Sequence, residues 1–158
     1  MLTGQRTVTL NVAFLQEIKE ENRELRQLLA ECAEAVSKPI GGPRETKRLV
    51  DQLVQLRDQL AMHFALEEAY GYFEDAIEVA PQLSVRAMQL RDEHRQLFLQ
   101  LSGVVDDAEQ LLYHEHRNGR RYDIATEFLQ FHAQFQDHEA RENALIQRML
   151  NEELGCGD

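Results

Sequence analysis

The sequence predicts an all-α protein, an antiparallel up-down-up-down four-helix bundle, and three observations carry that prediction. Apolar residues recur at alternating steps of three and four through four long segments. Those segments are rich in Leu, Ala, Glu, Gln and Arg, which are helix formers, and no alternating run of β-branched residues suggests a sheet. Helix-breaking residues gather at a few places. Ser37-Lys38-Pro39-Ile40-Gly41-Gly42-Pro43 holds two of the three prolines, Pro81 marks a second break near Val79 to Leu83, and His114 to Arg121, with Asn118-Gly119, marks a third. The closing Gly155-Cys156-Gly157-Asp158 has a helix-stopping composition. Connections of about 5 to 10 residues favour antiparallel neighbours. The whole chain, 1–158, reads as a single bundle domain.

Each helix presents a seam of core positions. In the first, Leu15, Ile18, Leu25, Leu29, Cys32 and Val36 share one face, interrupted by Asn22. The second carries Leu49, Leu53, Leu56 and Leu60 and continues to His63, Glu67 and Tyr70. The third reads Leu83, Ala87, Leu90, His94, Leu97, Leu101, Val104, Ala108 and Leu111. The fourth reads Ile124, Phe128, Phe131, Phe135, His138, Glu142, Leu145 and Met149. Val50, Val54, Phe64, Phe98 and Leu112 widen the stripes, as a globular bundle requires.

Composition narrows the function classes. With 17 basic and 28 acidic residues the formal charge is −11, which argues against a nucleic-acid binder and against docking on an anionic membrane. Hydrophobic residues make up 43%, enough for a core and too many for an acidic disordered tail. No apolar run approaches the roughly 20 residues that span a bilayer. The opening MLTGQRTVTL lacks the apolar stretch of a signal peptide. Cys32 and Cys156 lie far apart and form no CxxC pair, so a reduced, cytoplasmic protein is the expectation. No nucleophile-and-base arrangement, Gly-rich phosphate loop or organic-cofactor motif marks an enzyme, which leaves at most weak oxidase- or peroxidase-type activity at a metal.

The seams carry polar residues where an apolar core is expected. Asn22 interrupts helix one, His63 and Glu67 helix two, His94 helix three, and His138 and Glu142 helix four. Burying a bare imidazole or carboxylate costs several kcal/mol. A lone core histidine is usually just a satisfied one, but here depth matters. Counted from the breaks between antiparallel helices, at a rise of about 1.5 Å per residue, all six fall within one or two turns of a common layer. Bound to a cation, such a layer is satisfied. His63-x-x-x-Glu67 and His138-x-x-x-Glu142 are i, i+4 pairs, each placing an imidazole and a carboxylate on one face. Two such pairs can offer two bridging carboxylates with imidazoles as terminal ligands. The donor set suits iron, manganese or zinc, with iron adding redox chemistry.

These residues resemble the hemerythrin-like HHE cation-binding family. Leu60-Ala61-Met62-His63-Phe64-Ala65-Leu66-Glu67-Glu68 is similar to its second-helix motif, Arg91-Asp92-Glu93-His94 to its third and His138-Glu139-Ala140-Arg141-Glu142-Asn143 to its fourth. The likeness runs roughly from Leu10 to Leu150. It implies a non-haem di-iron centre that binds or senses oxygen, nitric oxide, peroxide or iron itself. In that reading Glu67 and Glu142 bridge the metals, His94 and His138 bind one and His63 the other.

Two positions depart from the family pattern. Asn22 stands where a helix-one histidine is expected, and helix three supplies only His94, since the positions four residues to either side are Leu90 and Phe98. An incomplete shell leaves a coordination position open. The alternatives are a single iron, manganese or zinc ion, or a metal-free interaction module that keeps the fold. Asn22 and Tyr70 are further candidates, for the metal or for a hydrogen bond beside it. His114 and His116 read as loop residues, His132 as a boundary histidine, and Glu68 and Glu93 as solvated residues or partners of ligands. Cys32 reads as a small core residue.

Overall fold

The computed structural model describes residues 22–39, 41–69, 81–113 and 117–155, and these form four helices with no strand among them. Helix α1 covers residues 22–37, α2 Pro43–Ala69, α3 Ser84–Tyr113 and α4 Arg117–Gly155. A 3₁₀ turn, Pro81–Leu83, leads into α3.

The ends of α1 and α2 follow from local chemistry. Near the end of α1 the Ser37 hydroxyl donates to the Glu34 carbonyl at 2.7 Å, and Lys38 pairs with Glu34 at 2.8 Å. Pro39 follows, and it cannot continue a helix. Pro43 occupies the first turn of α2, where its fixed φ suits the helix and its missing N–H is no loss. The Glu45 carboxylate reaches back to accept from the Gly41 N–H, and both the N–H and the hydroxyl of Thr46 donate to the Gly42 carbonyl at 3.1 Å. These bonds use backbone groups that a helix start otherwise leaves unpaired.

One expected boundary moves. The third break was placed at His114 to Arg121, yet α4 already begins at Arg117, so Asn118-Gly119 lie inside its first turn. Glycine costs about 1 kcal/mol in a helix interior, but a first turn has few hydrogen bonds to weaken. Gly155 ends the same helix, as its composition suggested.

The seams are the core. All nine residues of the third seam are buried, Leu83 in the 3₁₀ turn and the other eight on α3, and so are Leu49, Leu53, Leu56 and Leu60 of α2. Leu25, Leu29, Cys32 and Val36 bury the face of α1, while Leu15, Ile18 and Tyr70 lie outside the described residues. Phe128, Phe131 and Phe135 of α4 are fully enclosed. Of the flanking residues, Val50 and Phe64 are buried, whereas Val54, Phe98 and Leu112 are half-buried.

The apolar core is divided. One large cluster joins all four helices from Leu25 through Phe135, and a small one gathers Leu83, Ala87, Leu90 and Leu145. The start of α3 thus packs on the end of α4, and its later turns on the start of α4, which makes the pair antiparallel. Between the two clusters α2, α3 and α4 contribute His63, Glu67, His94, His138 and Glu142, every one buried. No helix among the described residues is long and apolar enough to cross a membrane.

Candidate metal centre

Glu67, His94, His138 and Glu142 each turn one donor atom toward a common point, and these four atoms lie within 4.8 Å of one another. Three helices supply them: α2 gives Glu67, α3 gives His94, and α4 gives His138 and Glu142. Nε2 of His94 lies 3.1 Å from Glu67 Oε2 and 3.6 Å from Glu142 Oε2, so this imidazole stands between the two carboxylates. His138 Nε2 is 3.0 Å from Glu142 Oε2 across the i, i+4 step. Yet neither of those two atoms has an aligned hydrogen-bond partner among the described residues, although both are sealed from solvent.

His63 stands beside the four rather than among them. Its Nε2 is 2.6 Å from Glu67 Oε1, the oxygen that does not face His94, so Glu67 lies between His63 and the four-atom group. The i, i+4 step that puts both side chains on one face also separates them along the helix axis by about one turn. Asn22 is half-buried at the start of the described part of α1, and its Oδ1 is enclosed with no partner among the described residues. Tyr70, His114 and His116 lie outside the described residues.

Aromatic rings wall the layer. Phe64 stacks on His94 with ring centres 4.0 Å apart and planes 8° from parallel, and it meets His138 edge-on at 5.9 Å. Phe135 packs under His138 at 6.5 Å. These rings keep water from the donors and restrict the tilt of the imidazoles. His132 is half-buried against Phe128, and burial lowers its basicity, as befits a boundary residue.

The outer contacts favour one histidine. Glu93, beside His94 on α3, crosses to α4, where its Oε2 accepts from His138 Nδ1 at 2.9 Å. Its other oxygen pairs with Arg141 Nη1 at 2.7 Å, and Arg141 Nε donates to Asp137 at 2.9 Å. Burial opposes the Glu93 charge, but Arg141 and then His138 outweigh it and hold the carboxyl below its usual range. Glu68 is more exposed, 3.8 Å from His94 Nδ1 and 3.4 Å from Arg91.

Sequence reasoning allowed Glu93 a partner's role but could not choose between that and solvation, and it missed Arg141 and Asp137. Both lie off the seam, and only the packing of α3 on α4 brings Arg141, with Asp137, to Glu93.

Electrostatics shows what the layer lacks. Burial alone would push His94 down, but its contacts with Glu142 and Glu67 prevail and hold it at about 9. His63 and His138 are raised in the same way, against burial, by Glu67 and by Glu142 respectively. The carboxylates divide. Burial and the Glu142 charge hold Glu67 above its usual range, whereas His138 and His94 overcome burial to hold Glu142 far below its own. Positive charge is therefore drawn into a buried layer. In a metal-free chain protons supply it; a divalent cation would supply it with geometry matched to lone pairs. Two imidazoles and two carboxylates converging in an enclosed layer fit such an ion, and they suit zinc, manganese or iron.

No curated protein and no solved structure matches the chain. A family pattern does. The hemerythrin HHE cation binding domain matches residues 13–150, a span that includes every residue of the layer, and the chain belongs to that family.

Proposed function

We propose that the protein binds non-haem iron in its buried polar layer, as a pair of ions, and uses it to bind or sense oxygen, nitric oxide, peroxide or iron itself. The observation that carries this reading is the convergence of Glu67, His94, His138 and Glu142 inside an otherwise apolar bundle. In it, His94 and His138 would hold one ion and His63 the other, with the Glu67 and Glu142 carboxylates available to both. The position of Glu67 between His63 and the four-atom group supports a bridging role. By the family resemblance Asn22 stands in for a helix-one histidine, and an amide oxygen is a weak substitute for an imidazole.

Bound iron would supply a redox-active Lewis acid with positions open to a small ligand. The protein's own part is to gather and aim the donors. Glu93 keeps a proton at His138 Nδ1, which leaves Nε2 to face the layer. Phe64 and Phe135 shield the donors from water. With so few ligands on the His63 side, the centre suits sensing or a weakly held ion better than stable oxygen carriage. The reading places the protein in the cytoplasm, where thiols such as Cys32 stay reduced.

Elemental analysis of protein prepared without added metal tests this, followed by ferrous reconstitution, air exposure and an optical spectrum. Retained iron with near-ultraviolet oxo-to-iron absorption is expected, and Asn22→His should raise both. Fewer than about 0.2 ions per chain after reconstitution would reduce the fold to a metal-free interaction module.

A further inference from the structure

The two histidines at the ends of the layer are supported in different ways. His138 Nδ1 faces Glu93 Oε2 at 2.9 Å. A charged carboxylate only accepts, so the proton of a neutral His138 sits on Nδ1 and the Nε2 lone pair points at the layer. Glu93 is itself fixed by Arg141, and Arg141 by Asp137, so three charged side chains stand behind one imidazole. His63 has no such hydrogen bond among the described residues: its Nδ1 is enclosed without a partner there, and Glu139, paired with Arg26 at 4.0 Å, acts on it through charge alone.

We propose that Glu93, braced by Arg141 and Asp137, is a positioning residue for His138, and that it makes the Glu67, His94, His138 and Glu142 position the first to take up a metal ion. The inference rests on the metal-binding reading above. A ligand held in the correct tautomer and rotamer before binding loses little freedom when it coordinates, and a carboxylate behind the ring strengthens the donor nitrogen. His63 starts from a ring whose outer nitrogen has no hydrogen-bond partner among the described residues, so its ion is bound second and more weakly. The surface ion pair of Glu93 with Arg141 alone would do none of this. With side chains 26% and 46% exposed it is a screened interhelical bridge, and only the third contact, to buried His138, connects it to the layer.

The test is competitive titration of the metal-free protein with Zn²⁺ and Co²⁺ against a chromophoric chelator. The wild type should take up one ion ahead of any second. Glu93→Ala should weaken that first ion by about 10- to 100-fold. Glu93→Gln, whose amide oxygen still accepts from Nδ1–H, should recover most of the loss. Arg141→Met, which removes the brace and leaves the acceptor, should fall between, and His63→Ala should remove the second ion while a first is still taken up.

A second readout separates positioning from simple bracing of the helices. In the Co²⁺-loaded wild type, the shifted proton resonance of His138 Nδ1–H should exchange slowly with water. It should be lost in Glu93→Ala and persist in Glu93→Gln. First-ion affinity unchanged in both Glu93→Ala and Arg141→Met overturns the proposal, as does a His63→Ala variant that loses the first ion and keeps the second. A wild type that binds neither ion overturns the metal reading itself, and the two failures are told apart by that control.

Discussion

Phe131 and His138 lie seven residues apart on α4, in equivalent core positions, and so do Phe135 and Glu142. The two levels they define are equally shut off from solvent: Phe131 and Phe135 are 0% exposed, His138 1% and Glu142 6%. Yet they are held together by different physics. At the phenylalanine level the buried side chains are themselves apolar, and burial itself supplies the stabilisation. One heptad further on, burial works against the side chains, and each imidazole and carboxylate needs an opposite charge beside it. The first level is complete as the chain folds. The second is complete only with a proton or a metal ion in it, so the bundle is built around a layer that stabilises it less than its neighbours do.

The sharpest way to break the symmetry of the two levels is to empty one position in each. Phe128 is fully enclosed and ten residues from His138. Phe128→Ala should cost about 3–5 kcal/mol, the usual result of deleting a buried ring. In a chain of this length that corresponds to a fall in midpoint of about 10 °C. The loss should be the same with and without bound metal, as measured by urea unfolding in chelator and in excess Zn²⁺. A loss that depended on metal would mean the two levels are coupled.

The opposite experiment applies to the polar level. Replacing His63, Glu67, His94, His138 and Glu142 together by leucine removes every charge and leaves apolar volume. In the metal-free state that variant should be as stable as the wild type or more stable by about 1–4 kcal/mol, since buried ionic clusters often do no better than leucine. It should no longer be stabilised by Zn²⁺. A quintuple variant that unfolds more readily than the metal-free wild type would show that the protonated layer is itself a net stabiliser.

That contrast also explains what the sequence could and could not disclose. Alternating steps of three and four identified the apolar level residue by residue, because a helix period depends only on the chain's own geometry. The same steps found His63, Glu67, His94, His138 and Glu142 as interruptions. They could not show that His63 stands outside the four-atom group, because that depends on how α2 packs against α3 and α4. Nor could they join Glu93 to Arg141 and Asp137. All three lie off the seam, where any charged residue looks solvated until the packing of α3 on α4 is known. The start of α4 escaped for a simpler reason: Asn118-Gly119 reads as a turn, and a first turn tolerates both.

The edge of the α3–α4 contact repeats the comparison on a smaller scale. Fourteen residues beyond Glu93 on α3 lies Asp107, and fourteen residues before Arg141 on α4 lies Glu127, so the two pairs occupy equivalent positions beside different levels. Next to the polar layer the charges are opposite; next to the phenylalanines they are alike. Burial, contact with Asp107 and the charges of Asp107 and Asp123 raise the Glu127 carboxyl from 4.5 to about 7. A value raised in the folded state favours folding while the group is protonated, so this contribution is present below pH 4.5 and is lost as pH rises through about 7. Asp107→Asn should therefore stabilise the protein at pH 8 and leave it unchanged at pH 4. The gain is small because water screens the pair, about 0.2–0.5 kcal/mol, or roughly one degree in the midpoint. An equal gain at both pH values would point to helix propensity or packing at position 107 instead. A loss at pH 8 would mean that the two carboxylates hold a shared proton more firmly than they repel, and the edge would then resemble the polar layer rather than contrast with it.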